Sequence, residues 1–169
     1  MNEQKYNLDQ SKVELDKLFD LSTKGIDKTA CEDLAEKARI IYEQYPESED
    51  IALWYAGVLV NLSVEQVNIE ELGKTIHSVQ QIFEQFNQSE EIALRYAMIL
   101  FDLSTVQTEL KERKATAEKL EKLLQQFPES PDIALPYAMI LFNLSIKQTE
   151  LKELETTAEK LEKLQQQFP

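Results

Sequence analysis

The feature that most constrains this chain of 169 residues is an internal repeat of 41 residues. Residues 88–128 and 129–169 are identical at 30 of 41 positions, and residues 47–87 keep the same IAL-x-YA and NLS segments. Residues 1–46 form the most diverged copy, although FDLS stands there in register and the copy ends in IIYEQYP. A period of this length is typical of helical-repeat proteins, in which each copy is one supersecondary unit that packs on its neighbours.

Each copy contains the signals of two α-helices. The predicted N-caps of the first helix are small polar residues, namely Asn7, Ser48, Ser89 and Ser130. The predicted N-caps of the second helix are Asp27, Asn68, Thr108 and Thr149, and an aromatic residue followed by Pro or Asn marks its end. Gly25 is predicted to take a left-handed conformation after the first helix of the first copy. Pro136 predicts that the first helix of the last copy starts late or bends, because proline lacks an N–H donor.

The first helix of the second, third and fourth copies is apolar on nearly every face, whereas the second helix alternates charges, as in EKLEKL of the last two copies. In the third copy two apolar stripes share the first helix: Ala93, Tyr96, Ala97, Leu100 and Leu103 on one face, and Leu94, Met98 and Phe101 on another. A helix that is apolar all round is a buried one. The sequence therefore predicts an all-α solenoid of four helix-turn-helix repeats, with about eight antiparallel helices. We expect one domain over residues 1–169, with repeats at 1–46, 47–87, 88–128 and 129–169.

A helix pair that ends in proline and carries Tyr-Ala in its first helix resembles the tetratricopeptide repeat. The small residue of that family's pattern matches Ala56, Ala97 and Ala138, and the large residue three positions later matches Leu59, Leu100 and Leu141. The match is loose, because the family's usual Trp column holds Ala52, Ala93 and Ala134, and because the period exceeds the family's roughly 34 residues. The resemblance implies a superhelix with a concave groove along the first helices. A HEAT-like array, whose repeats are of similar length, is the alternative.

The resemblance also implies where a partner would bind. A polar column at one edge of the first helices would face the groove and bond the backbone of an extended peptide: Asp20, Asn61, Asp102 and Asn143. Apolar side chains would line the same groove: Leu53, Leu94, Leu135, Met98, Met139, Phe101 and Phe142. The alternatives are that the polar groups bond neighbouring first helices or water, and that the apolar groups are buried between those helices. Trp54 is a candidate binding hot spot, or else it covers a neighbouring helix.

Charge narrows the class of partner. The formal net charge is −13, whereas nucleic acids and anionic membrane surfaces require a basic face. We therefore expect a protein or peptide partner, basic or amphipathic, with no nucleic acid and no membrane. One cysteine allows no internal disulfide and fits a reducing compartment, and no apolar run approaches the ~18 residues of a membrane span. These observations predict a cytoplasmic protein.

Residues that could carry chemistry are few. His77 is the only histidine, and its column is otherwise Glu36, Glu118 and Glu159, which indicates a solvated face. Cys31 is more readily explained as a packing residue than as a nucleophile, and there is no Gly-rich phosphate loop. We therefore expect no catalytic residues, no metal, no cofactor and no enzymatic activity. The sequence favours a protein-binding scaffold or adaptor with an acidic, apolar groove. The alternatives are a structural or self-assembling segment of a longer helical-repeat protein, and a regulatory domain of an enzyme whose catalytic part is absent.

The last copy shows one change suited to an end of the array. The column of Tyr42, Phe83 and Leu124 becomes Gln165, which is polar. Leu161, Leu164 and Phe168 nevertheless keep the internal pattern. A solenoid's terminal face is normally polar, so this half-changed face predicts self-association through the C-terminal helix, or a chain that belongs to a longer protein.

Overall fold

The computed structural model of the chain describes residues 7–169, which form eight α-helices and no β-strand. The helices are α1 (Leu8–Ser22), α2 (Lys28–Gln44), α3 (Glu49–Glu65), α4 (Ile69–Gln85), α5 (Glu90–Val106), α6 (Leu110–Gln126), α7 (Pro131–Lys147) and α8 (Leu151–Gln167). Within α1–α4 and within α6–α8, consecutive helices pack against each other. The predicted all-α class, with a helix pair in each repeat, is confirmed.

The helices keep the period of the sequence. The first helices α3, α5 and α7 begin at positions 49, 90 and 131, and the second helices α4, α6 and α8 begin at 69, 110 and 151. Both series advance in steps of 41 residues, and seven of the eight described helices contain 17 residues. The exception is α1, which has 15 residues and is followed by Gly25 at φ +63°. The left-handed conformation predicted for Gly25 is confirmed.

Side-chain caps hold most of the predicted helix starts. Asn7 forms a reciprocal capping box with Gln10, and Ser48 and Ser130 accept hydrogen bonds from backbone amides of α3 and α7. Asp27 and Asn68 cap α2 and α4 in the same way. Ser89 also precedes its helix, but its buried hydroxyl has no hydrogen-bond partner among the described residues.

The predicted caps Thr108 and Thr149 are wrong. The residues that precede α6 and α8 are Glu109 and Glu150, and neither makes a side-chain capping bond. These glutamates occupy the column of Asn68, because 68 plus 41 is 109 and 109 plus 41 is 150. The helix start therefore follows the repeat register and its packing rather than the best local capping residue.

Pro136 does not delay the start of α7. That helix begins at Pro131 and continues through Pro136 to Lys147, with the same length as α3 and α5. The prediction of a later start is wrong. The carbonyl that loses its hydrogen bond belongs to Asp132, four residues earlier, and Asp132 is exposed in the first turn. An early position of this kind limits the penalty, because water can reach the freed carbonyl.

Contacts between residues divide the chain into two compact units, with the boundary between Arg95 and Tyr96 in α5. In the first unit α3 packs against α1, α2 and α4. Its core is built from fully buried aliphatic side chains on all four helices, among them Leu15, Ala38, Ile51, Ala56, Leu72 and Val79.

In the second unit α7 packs against α6 and α8. Leu120, Ile133 and Ile140 are the most completely buried large side chains of these three helices. In both units a first helix therefore lies against second helices, as the charge pattern predicted.

A buried Gln–Thr hydrogen bond recurs in three repeats. The hydroxyls of Thr75, Thr116 and Thr157 donate to the side-chain carbonyls of Gln66, Gln107 and Gln148 at 2.9, 3.0 and 2.9 Å. Each bond joins the turn after a first helix to the second helix nine residues later, and it satisfies polar groups that are less than a tenth exposed. The first repeat carries Gly25 and Leu34 at these positions, and so lacks the pair.

Candidate functional site

The serines of the DLS and NLS segments bond within their own helices. Ser22, Ser63, Ser104 and Ser145 donate their hydroxyl protons to the carbonyl oxygens three residues earlier, at 2.6 to 2.7 Å. These hydroxyls therefore have their own protons engaged and can offer a partner only an acceptor oxygen.

The residues of the polar column next to these serines differ in how accessible they are to a partner. The Nδ2 of Asn61 in α3 donates to the Oγ of Ser22 in α1 at 2.7 Å, so this side chain joins two first helices. Asp102 and Asn143 are half-buried, and Asp20 is exposed. For Asn61 the structure favours the alternative in which the column bonds a neighbouring helix.

One predicted residue of α3, Trp54, is in contact with α1. The ring of Phe19 in α1 meets Trp54 edge-on, with 5.3 Å between centroids and an interplanar angle of 62°. The same ring lies over Gly57, where a Cβ atom would be only 2.9 Å from it. Trp54 and Leu53 are both half-buried. Trp54 therefore covers a neighbouring helix, which was the alternative to a binding hot spot.

The predicted residues of α7, by contrast, form an exposed apolar surface. Leu135, Met139 and Phe142 are 62, 43 and 59% exposed. Ile146, which the sequence reasoning did not include, is 64% exposed and continues the same face, because the four residues follow spacings of four, three and four. We call these four residues the α7 stripe. Their columns on α5 are less open: Met98 is 37% exposed, and Leu94 and Phe101 are half-buried.

A concavity of about 440 Å³ adjoins the stripe on the side of α8. We call it the α7–α8 groove. Its lining is apolar except for Gln165. The lining residues are Pro131, Ala134, Leu135 and Ala138 from α7, Leu161, Leu164 and Gln165 from α8, and Phe168 directly after α8. Leu135 belongs to both surfaces. The groove contains the four α8 residues whose pattern in the sequence suggested a half-changed terminal face.

A second concavity of the second unit, of about 290 Å³, is lined by charged residues and threonines of α6 and α8 together with Leu141 and Leu144 of α7. Lys114 is paired with Glu153, and Lys160 with Glu121 at 2.7 Å. In the first unit Lys28 and Glu71 form the corresponding link between α2 and α4 at 2.6 Å. These pairs join neighbouring second helices, and the lysines in them are neutralised by carboxylates. The cleft is therefore a poor site for an anionic ligand.

Cys31 and His77 have surroundings that suit structural roles. Cys31 is buried, and burial is the main cause that raises the pKa of its thiol, which makes the reactive thiolate scarcer at neutral pH. His77 is exposed on α4. Within residues 7–169 no group of three or more His, Cys, Asp or Glu side chains is arranged to hold a metal ion.

Comparison with known proteins adds no family assignment. No family model matches the chain, and no curated protein matches its sequence. In the part of the chain that the structure describes, no helix is both long enough and apolar enough to cross a membrane.

Proposed function

We propose that this chain is a helical-repeat scaffold or adaptor that binds a protein partner through the α7 stripe. The observation that carries the proposal is the exposure of four large apolar side chains on one face of one helix. Leu135, Met139, Phe142 and Ile146 are each at least 43% exposed. Contiguous apolar surface in contact with water commonly marks an interaction site, and a methionine within it can adapt to different partner shapes.

The partner we propose is a protein or peptide, amphipathic and basic. An amphipathic segment would cover the apolar stripe, and a basic one would be attracted by the net charge of −13. A non-enzymatic role, a cytoplasmic location and a tetratricopeptide-like ancestry belong to the same proposal. They are supported by the composition, the 41-residue period and the Tyr-Ala pairs of the first helices.

A structural role is the second candidate. The observation that favours it is the apolar α7–α8 groove, which resembles an interface prepared for another repeat. Self-association through α8 would bury the same surface. Light scattering of the purified chain over a wide concentration range separates the two roles, because self-assembly requires the molar mass to rise with concentration.

The proposed binding surface is tested by comparing two exposed apolar-to-acid substitutions. Phe142→Asp changes the α7 stripe, whereas Val67→Asp changes a residue that is 84% exposed in the turn between α3 and α4. Proteins captured by the wild-type chain are identified, purified and re-tested individually. We expect a direct partner that binds the wild type and Val67→Asp equally and loses at least about tenfold in affinity for Phe142→Asp. Equal affinity for all three chains would contradict the proposal.

A further inference from the structure

The α7–α8 groove repeats a surface that elsewhere in the chain holds a helix. In the first unit α3 packs against both α1 and α2. Lys12 of α1 pairs with Asp50 of α3, and Tyr42 of α2 stacks on Tyr55 of α3 with 5.4 Å between ring centroids. α3 therefore lies over the pair of helices that precedes it.

The residues beneath α3 have direct counterparts in the groove. The α1–α2 pair and the α7–α8 pair are three repeats apart, and three times 41 is 123. At this offset of 123 positions, the residues equivalent to Ser11, Leu15, Ala38 and Ile41 are Ala134, Ala138, Leu161 and Leu164, respectively. The first four are at most 4% exposed. The last four line the groove, where Ala138 and Leu161 are half-buried and Ala134 and Leu164 are 5 and 8% exposed.

The second unit supplies an independent example. There α7 packs against α6, whose Leu120, Leu123, Leu124 and Phe127 correspond to Leu161, Leu164, Gln165 and Phe168 of α8. Three of the four residues are identical. A helix with the apolar face of α7, which packs against α6, therefore also fits α8. The one difference is that Gln165 replaces Leu124.

The helix that fits is defined by the face that α3 and α7 present. In α3 that face carries Tyr55, together with the buried Ile51, Val58 and Leu62. The same columns in α7 are apolar and buried: Ile133, Tyr137, Ile140 and Leu144. A helix with this spacing of large apolar residues matches the floor of the groove.

A second copy of the chain does not offer such a helix. In α1 the same columns hold Gln10, Glu14, Lys17 and Leu21, so three of the four are polar. In α3 and α7 the four residues of this face are already buried, and in α5 Ile92, Tyr96 and Ile99 are at most 6% exposed. No described first helix of a second copy is therefore free to fill the groove.

We propose that the α7–α8 groove receives an amphipathic α-helix of a partner protein, whose apolar face repeats the Ile-x3-Tyr-x2-Ile-x3-Leu spacing of α7. Gln165 stands where Tyr42 stacks on Tyr55, and it is the one polar residue that lines the groove. The inference rests on the proposed function, because it names the element by which a protein partner binds the second unit.

The probe is a blocked synthetic peptide with the sequence of residues 130–148, titrated into the full chain by calorimetry. We expect one peptide to bind per chain. Gln165→Leu restores the apolar column and should tighten binding by about tenfold, and Gln165→Glu should weaken it by a similar factor. Gln165 is exposed, so neither change threatens folding. A peptide with Asp at the positions of Tyr137 and Ile140 should not bind.

Two further variants separate this inference from the proposed function. Leu161→Glu changes the groove alone, and Met139→Glu changes the α7 stripe alone. The peptide should lose affinity for Leu161→Glu and bind Met139→Glu unchanged. The groove proposal fails if the peptide does not bind the wild type, if it ignores the changes at Gln165 and Leu161, or if the chain alone dimerises through the groove. A protein partner that is lost on Met139→Glu but not on Leu161→Glu would support the α7 stripe and overturn the groove proposal.

Discussion

The side-chain amide of Asn61 in α3 donates a hydrogen bond of 2.7 Å to the hydroxyl of Ser22 in α1, and that hydroxyl donates to the carbonyl of Phe19. This chain of bonds joins two first helices of adjacent repeats. We expect Asn61→Ala to lower the free energy of unfolding by about 1 kcal/mol, measured by urea denaturation. Asp20 occupies the same column and is exposed, so Asp20→Ala should change stability by less than about 0.5 kcal/mol. Equal losses for the two variants would show that the Asn61 bond has no specific role.

The buried hydrogen bond between Thr75 and Gln66 predicts a loss of stability that depends on whether one or both of its partners are replaced. Thr75→Val keeps the shape but leaves the Gln66 carbonyl buried without its partner, which should cost about 1–3 kcal/mol in denaturant unfolding. Adding Gln66→Leu removes the unsatisfied group, so the double variant should recover part of the loss. A double variant whose loss equals or exceeds the sum of the two single losses would contradict the role assigned to this bond.

How much of this could be read from the sequence differs between elements. The two helices of each repeat could be predicted from the 41-residue period, because residues in the same column of successive repeats take the same place in the packing. The starts of α6 and α8 differ from the prediction, because the register that aligns Glu109 and Glu150 with Asn68 outweighs the better capping chemistry of Thr108 and Thr149. The Gln–Thr pairs were missed, although a Gln and a Thr nine residues apart recur in three copies.

The candidate site was less predictable, because exposure depends on which helix lies opposite. Leu53 and Leu135 occupy the same column, yet Leu53 is half-buried and Leu135 is 62% exposed. Trp54 of α3 is partly covered by Phe19 of α1. This contact joins two repeats, so the sequence of either repeat alone does not predict it. The sequence named Leu135, Met139 and Phe142 but could not distinguish them from their covered equivalents.

The glycines predict opposite effects for the same substitution. Gly73 lies inside α4, where an added Cβ atom would meet no side chain and no neighbouring helix within 4 Å. Gly73→Ala should therefore stabilise the protein by about 0.5–1 kcal/mol through helix propensity. Gly25 has φ +63°, so Gly25→Ala should destabilise it by roughly 1–2 kcal/mol. Thermal and urea unfolding of the two variants test both signs, and a stabilised Gly25→Ala would rule out the left-handed turn.

Tyr55 predicts a loss of stability in alkaline solution. Burial is the main cause that raises the pKa of Tyr55 to about 12, above its ordinary value of 10.0. The folded state therefore holds the phenolic proton more tightly than the unfolded state. The resulting stabilisation is complete below about pH 10 and should be lost, by roughly 2–3 kcal/mol, as the pH rises to about 12. Denaturant unfolding of Tyr55→Phe should show a shallower decline over this range, since lysine ionisation affects both proteins alike. Parallel declines would contradict the raised pKa.

The central claim is that the α7 stripe is the surface that contacts a protein partner. Hydroxyl-radical footprinting measures it most directly, because Met139 and Phe142 are both reactive and exposed in the free chain. The chain is oxidised alone and in complex with the purified partner, and His77, exposed on α4, serves as the internal control. We predict that the partner strongly reduces modification of Met139 and Phe142 and leaves His77 unchanged. Unchanged modification of Met139 and Phe142 in a saturated complex would contradict the claim.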